Sequence, residues 1–469
     1  MKICLIAEGC YPYVAGGVSS WIQMLMNGMP EHEFSIFTIG AEQKDRGIYK
    51  YDIPANVSEI NENFLDEFYE LAPTKNSGYK LEEIEKQQFI NLLNGEYVDW
   101  SIIFALFKKY PHFNASDFLS SRIFLEIIKE VCMGKYEEAP FNETFWTIRY
   151  MLIPIISILD AEVPEADIYH CVSTGYAGII GAKFKYETGK PLIVTEHGIY
   201  TREREEEILK ADWVDVNFKE TWIDFFKSLS TAAYESADSV VSLFARAKAT
   251  QIGLGAPAEK CLTIANGVKP DRFMNIEEIM LEKEEFTIGA IVRVVPIKDI
   301  KTLIYSYDIA RKEFNKSKLY IIGPYDEDPE YYEECIETVK ELGCEGIEFV
   351  GRTDIAKWMD KLDVVILTSV SEGQPFVLLE AMSAKRPVIA TDVGSCREII
   401  EGFGDNLGEC GFTVPVMNPN LIAKAIIKLG KDRALMREMG EIGYNRAVNY
   451  YRDDTFLDEY EKLYRSVIK

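Results

Sequence analysis

Short runs of branched apolar residues punctuate the chain, each followed by a polar or glycine-bearing loop and then by a stretch with helical spacing. Continuous apolar runs of this length read as strands of a parallel sheet covered on both faces. In the first half they fall at Lys2–Ala7, Phe34–Ile39, Ile168–Val172, Pro191–Thr195, Ser239–Leu243 and Lys260–Ile264. In the second they fall at Phe286–Arg293, Lys318–Ile322, Ile347–Val350, Val364–Leu367 and Pro387–Ala390. The pattern predicts two α/β domains, residues 1–268 and 286–451, with a proline-containing acidic linker at 269–285. Between about residues 41 and 150 the alternation stops, and aromatic, acidic segments such as Leu81–Leu93 and Trp100–Lys109 predict a helical insertion in the first domain.

The most informative stretch runs from Asp363 to Met382. The strand 364–367 opens into the loop Ser369-Val370-Ser371-Glu372-Gly373-Gln374, and Pro375 then suits the first turn of a helix with Leu378, Leu379 and Met382 on its apolar face. A helix that starts at the carboxyl edge of a sheet points unpaired N–H groups outward, where phosphate binds readily. Glu372 and Glu380 stand roughly 10 Å or more apart along such a unit. They are too distant to share one metal ion, but they suit the two ends of an extended ligand with a diphosphate between them. Either glutamate alone is an ordinary solvated residue.

Composition narrows the partners. The 469 residues carry a net charge of -25, with 47% hydrophobic and 27% charged positions. So acidic a surface repels nucleic acid and anionic lipid, and a phosphate site must be a local pocket lined by cations or N–H groups. The nine cysteines are scattered without a Cys-x-x-Cys pair, which argues against a zinc site or a disulfide framework and for a reducing, cytoplasmic setting. The apolar run Met151–Leu159 contains Pro154 and falls short of the ~20 residues a membrane span needs, so no transmembrane segment is expected.

Other candidates follow from position. Gly16 and Gly17 precede a helix and allow close approach of a ligand to the backbone, although a glycine pair is equally at home in a turn. Arg293 and Lys298 flank the loop after the first strand of the second domain, where cations can neutralise a diphosphate. His197 follows a strand end and precedes a glycine, whereas His170 reads as structural. In Asp326-Glu327-Asp328, Asp328 precedes Pro329 and a helical stretch, which favours helix capping over metal binding. Neither a Gly-x-Ser-x-Gly elbow nor a dinucleotide or Walker fingerprint occurs at the first loop.

The Glu-x7-Glu spacing of Glu372 and Glu380 resembles the signature of retaining glycosyltransferases of family four, which have the GT-B fold. The runs Ala-Gly-Gly-Val-Ser-Ser-Trp at 15–21, Thr-Glu-His-Gly-Ile-Tyr-Thr-Arg-Glu-Arg at 195–204, Arg-Val-Val-Pro-Ile-Lys-Asp at 293–299, Gly-Pro-Tyr-Asp-Glu-Asp-Pro at 323–329 and Thr-Asp-Val-Gly-Ser-Cys-Arg-Glu at 391–398 are similar to PelF-type enzymes of Pel exopolysaccharide biosynthesis. The resemblance implies two Rossmann-like domains facing a cleft, with the C-terminal helix 452–469 completing the first. It implies a UDP-hexose donor, whose ribose Glu380 would hold. Glu372 would take the sugar hydroxyls, Arg293 and Lys298 the phosphates, and Gly16 and Gly17 the phosphate region across the cleft. His197 would contact the sugar near the scissile bond. Backbone around Arg352 and Thr353 would hold uracil, and Gly373, Gln374, Pro375, Phe376 and Val377 would complete the donor loop. Transfer would retain configuration by front-face attack, with neither metal nor cofactor. The acceptor would be a polysaccharide, and the partner a membrane-embedded Pel synthase complex at the inner face of the membrane. Gly394-Ser395 and Pro324-Tyr325 stand where many relatives have a second glycine. A UDP-sugar 2-epimerase and a non-catalytic UDP-sugar-binding subunit are the rival readings.

Overall fold

Two fully parallel sheets carry the chain, as expected from strands that are apolar on both faces. The computed structural model describes residues 1–70, 72, 74, 78–111 and 113–468. The first sheet contains β1 (Lys2–Glu8), β2 (Glu33–Gly40), β3 (Val57–Phe64), β4 (Ile168–Cys171), β5 (Leu192–Glu196), β6 (Ser239–Ser242) and β7 (Cys261–Thr263), in the order β3-β2-β1-β4-β5-β6-β7. The second contains β8 (Phe286–Ile291), β9 (Ser317–Ile322), β10 (Ile347–Gly351), β11 (Val364–Leu367), β12 (Val388–Thr391) and β13 (Gly411–Val414), in the order β10-β9-β8-β11-β12-β13. Each is a Rossmann-like domain, wound outward from a central pair: β1 with β4 in one, β8 with β11 in the other.

Two strands depart from the sequence reading. β3 lies within the stretch read as helical; it is an edge strand with two exposed polar positions, Ser58 and Glu59, so it carries no apolar run. β13, Gly-Phe-Thr-Val, contains a glycine and a threonine and so carries no unbroken apolar run. Between β5 and β6 the chain forms two helices, Tyr200–Lys210 and Lys219–Ser236. Helices Glu83–Asn94, Trp100–Lys109, Arg122–Cys132 and Phe141–Leu159 pack their aromatic and aliphatic side chains into one core with the first sheet and its helices, so the insertion has no separate core of its own.

The chain divides into two compact units, Met1–Thr263 with the residues from Glu461 on, and Ile264–Tyr460. The second division falls inside the last helix, Asp453–Val467. In the first unit Tyr464 meets His170 Nδ1 at 2.8 Å while His170 Nε2 meets Thr195 Oγ1 at 2.8 Å, which makes His170 a buried strut. In the second unit, the segment preceding β8 is strapped to the sheet: Arg386 and Arg433 donate to the carbonyls of Glu277, Met280 and Glu285, and Lys283 pairs with Asp363 at 3.0 Å.

Candidate functional site

In the second unit the chain leaves β8 toward β9 and leaves β11 toward β12, so the crevice between these two strand ends is the topological switch point where ligands of open α/β sheets bind. Lys298 comes from the turn after β8 and Glu372 from the loop after β11. They meet there, with Lys298 Nζ 2.5 Å from Glu372 Oε1. Their side chains are only 16% and 12% exposed, so the pair is held in a poorly solvated setting where charge acts strongly. Ser369 Oγ donates to the same carboxylate oxygen at 2.5 Å.

The loop carrying Glu372 is fixed from several sides. Val370 N donates to Ile297 O, Thr368 Oγ1 to Lys298 O, Thr391 Oγ1 to Ser369 O and Ser395 N to Gly373 O. Gln374 is clasped by Asn266, whose N–H and side-chain amide donate to Gln374 Oε1 and O at 2.5 and 3.2 Å. Gly394 lies against this loop with φ +52°, and a Cβ there would fall 2.2 Å from Gly373 O and 2.3 Å from Glu372 O. The helix that follows, Phe376–Ser383, begins after Pro375 with no side-chain cap, so the N–H groups of Phe376 and Val377 open toward the switch point.

Glu380 lies on this helix, 15% exposed, with Arg272 Nη1 3.4 Å from Oε1. Burial pushes its carboxyl up to about 7, and Arg272 acts in the opposite direction. Arg272 also reaches Asp354 at 3.3 Å. Arg293 points elsewhere: its Nη1 is 2.8 Å from Glu327 Oε2, and it does not share the carboxylate of Lys298. Arg352 and Thr353 are exposed just after β10, with Arg352 3.8 Å from Glu327. Asp328 caps helix Pro329–Glu341 by accepting from Tyr331 N at 3.0 Å.

In the first unit Gly16 and Gly17 begin helix Gly17–Gly28, again with no side-chain cap, and a Cβ on either would meet nothing within 4 Å. Two other helix starts at this carboxyl edge, after β4 and after β5, are closed by acids. Glu8 accepts from Ala177 N at the start of helix Gly175–Thr188 and from the Tyr200 hydroxyl at 2.8 Å. Glu196 accepts from Tyr200 N, Thr174 Oγ1, Gln251 Nε2 and the Tyr234 hydroxyl. Helix Gly17–Gly28 has no such acid at its start and is open to an anion where those two are occupied. Its Trp21 packs edge-on against His197 with ring centres 4.8 Å apart. Burial pushes the His197 imidazole down to about 3, so it is neutral at pH 7, and its buried Nε2 has no hydrogen-bond partner among the described residues.

Lys298, Glu372 and the uncapped helix are thus brought together in one unit, and Gly17 and His197 lie beside Trp21 in the other. Among the described residues, one group could offer three metal ligands, Glu31, His32 and Glu461, but Glu461 already takes His32 Nε2 and Arg465. Arg272, Ser369, Glu8 and Glu327 did not emerge from the sequence. Ser369 was within reach, three residues from Glu372 in the same loop, whereas Arg272 meets Glu380 across 108 positions. Among the described residues, no helix is long and apolar enough to cross a membrane.

Residues 1–259 match the family described as Domain of unknown function (DUF3492), and residues 285–432 match Glycosyl transferases group 1. The chain is similar to N-acetyl-alpha-D-glucosaminyl L-malate synthase of Bacillus anthracis, 31% identical over 33% of this chain and 38% of that protein. It is similar to poly(ribitol-phosphate) alpha-N-acetylglucosaminyltransferase of Staphylococcus aureus, 26% identical over 54% of this chain and 50% of that protein. The chain thus spans half or less of the length of these curated relatives. Its fold matches Anabaena HepE in complex with UDP, at a TM-score of 0.62 and 16% identity over 99% of this chain and 100% of that one, a likeness of GT-B fold alone. The chain belongs to the DUF3492 family, and its second unit carries a domain of the group 1 glycosyltransferases.

Proposed function

We propose that the chain is a retaining, metal-independent glycosyltransferase of the family-four, PelF type, which moves a hexose from a UDP-sugar to a growing Pel-type exopolysaccharide. The observation that carries this reading is the meeting of Lys298 and Glu372 at the switch point beside an uncapped helix start. Such a helix start receives a diphosphate, and Lys298 with Arg293 adds positive charge where the UDP leaving group gains negative charge. Glu372, already aimed by Lys298 and Ser369, accepts from sugar hydroxyls, and Glu380 accepts from the ribose hydroxyls. No protein nucleophile is required when the acceptor attacks the face from which UDP departs; the enzyme orients the partners and stabilises the leaving group. The UDP complex of HepE and the N-acetylglucosaminyl relatives support a nucleotide-sugar donor.

The test is thermal unfolding with UDP, UDP-glucose, UDP-N-acetylglucosamine, UDP-N-acetylgalactosamine and GDP, each with and without EDTA, followed by turnover with an oligosaccharide acceptor. A ligand at 100 times its Kd raises stability by about 2.7 kcal/mol, and a uridine-selective, EDTA-insensitive shift is expected. Glu372→Ala and Lys298→Ala should each lower turnover on the order of 10²-fold. An isomerised free sugar nucleotide would replace the transferase by an epimerase, and binding without turnover would leave a carrier subunit.

A further inference from the structure

The two cations after β8 both carry a carboxylate, but the carboxylates differ in kind. Lys298 sits on Glu372, which the proposed reaction uses. Arg293 sits on Glu327, which belongs to the loop after β9 and has no part in that reaction. Among the described residues the ionic partners of Glu327 are Arg293 at 2.8 Å, through Oε2, and Arg352 at 3.8 Å, through Oε1.

Backbone geometry keeps this carboxylate beside Arg293. Val292 N donates to Ile322 O at 2.9 Å, and Val294 N to Pro324 O at 2.9 Å, so the loops after β8 and β9 are laced together. Gly323 makes the close approach possible: at φ +145°, a Cβ on it would lie 2.0 Å from Val292 O. On the far side Asp328 is fixed as a helix cap, which anchors the end of the short acidic run. Glu327 is therefore confined within reach of two guanidinium groups and can exchange one for the other by rotating its side chain. Both members of the Arg293 pair are partly in water, at 44% and 32% exposure, and pairs of this kind are weak enough to be exchanged for a better partner.

Resting on the reading of Arg293 as a diphosphate ligand, we propose that Glu327 is an internal counter-ion that occupies Arg293 in the free protein and competes with the diphosphate for it. When a nucleoside diphosphate arrives, Arg293 turns to the phosphates and the Glu327 charge passes to Arg352. When the product leaves, Glu327 retakes Arg293. The carboxylate thus weakens diphosphate binding and hastens its release, and it does so without touching the base or ribose.

Isothermal titration of UDP and of uridine into wild type, Glu327→Gln, Glu327→Asp, Arg293→Ala and the Glu327→Gln/Arg293→Ala double variant tests this. Glu327→Gln is expected to tighten UDP by about two- to fivefold, the range of an exposed ion pair, and to leave uridine unchanged. Glu327→Asp, which keeps the charge, should stay near wild type. The gain should shrink in high salt and vanish in the double variant. If Arg293→Ala weakens UDP while Glu327→Gln leaves it unchanged or weaker, the counter-ion role is wrong and the donor reading stands. If Arg293→Ala leaves UDP affinity untouched, Arg293 is not a phosphate ligand, and both the assignment and the counter-ion role fall.

Discussion

Glu380 has a carboxyl that titrates near neutrality, at about 7, because burial disfavours its charge more than Arg272 restores it. A carboxylate accepts from two ribose hydroxyls better than a carboxylic acid does. Uridine affinity should therefore rise with pH through about 7, by up to about tenfold per unit below that value, as expected when binding selects the ionised form. Glu380→Gln should flatten the profile, and Arg272→Gln should move its midpoint upward; titration calorimetry between about pH 5.5 and 8.5 reads both. Gly394→Ala is a backbone test of the same site. With φ +52° and carbonyls 2.2 and 2.3 Å from the new methyl, it should cost about 1–3 kcal/mol and displace the Glu372 loop, read as a lower Tm and weaker UDP binding. The positions of Glu372, Lys298 and His197 were legible because each follows a strand end in sequence. Arg272 and Glu8 were not, because their partners are brought to them by the fold.

Among elements, the inner strands were legible because both faces are buried and the apolar run is unbroken. Edge strand β3 was not, since its outer position lets polar residues stand where a core strand needs apolar ones. Helix Arg433–Tyr450 hides a different feature in an ordinary polar sequence: Arg446, 1% exposed, grips Asp405 at 2.7 Å and donates to the carbonyls of Ile399, Ile400 and Gly408. No local pattern separates such an arginine from a solvated one. Arg446→Met should cost about 3–5 kcal/mol, because Asp405 would be left buried without its partner. Hydrogen bonding to Arg446 holds the Asp405 carboxyl below its usual 3.8. Its contribution is thus complete above that value and is lost as pH falls through the lower, folded one. Urea unfolding at about pH 7 and about pH 3 should show a smaller gap between wild type and variant in acid.

At the scale of the whole molecule, the repeated strand-helix rhythm made the doubly wound sheets readable, whereas the contacts of the last helix depend on residues hundreds of positions away. The buried bond between His170 and Tyr464 joins partners 294 positions apart. Tyr464→Phe should cost about 0.5–1.5 kcal/mol by removing a buried hydrogen bond, measured as a fall in the denaturant midpoint.

That bond also sets an order of events during synthesis. The strands of the first sheet emerge from the ribosome before residue 264, but the residues from Glu461 on that belong to the same unit emerge only after the second unit. At ~5–20 residues per second, the ~200 residues between them delay completion by roughly 10–40 s. Of the two units, the one begun earlier is finished later, and until then His170 waits without its tyrosine.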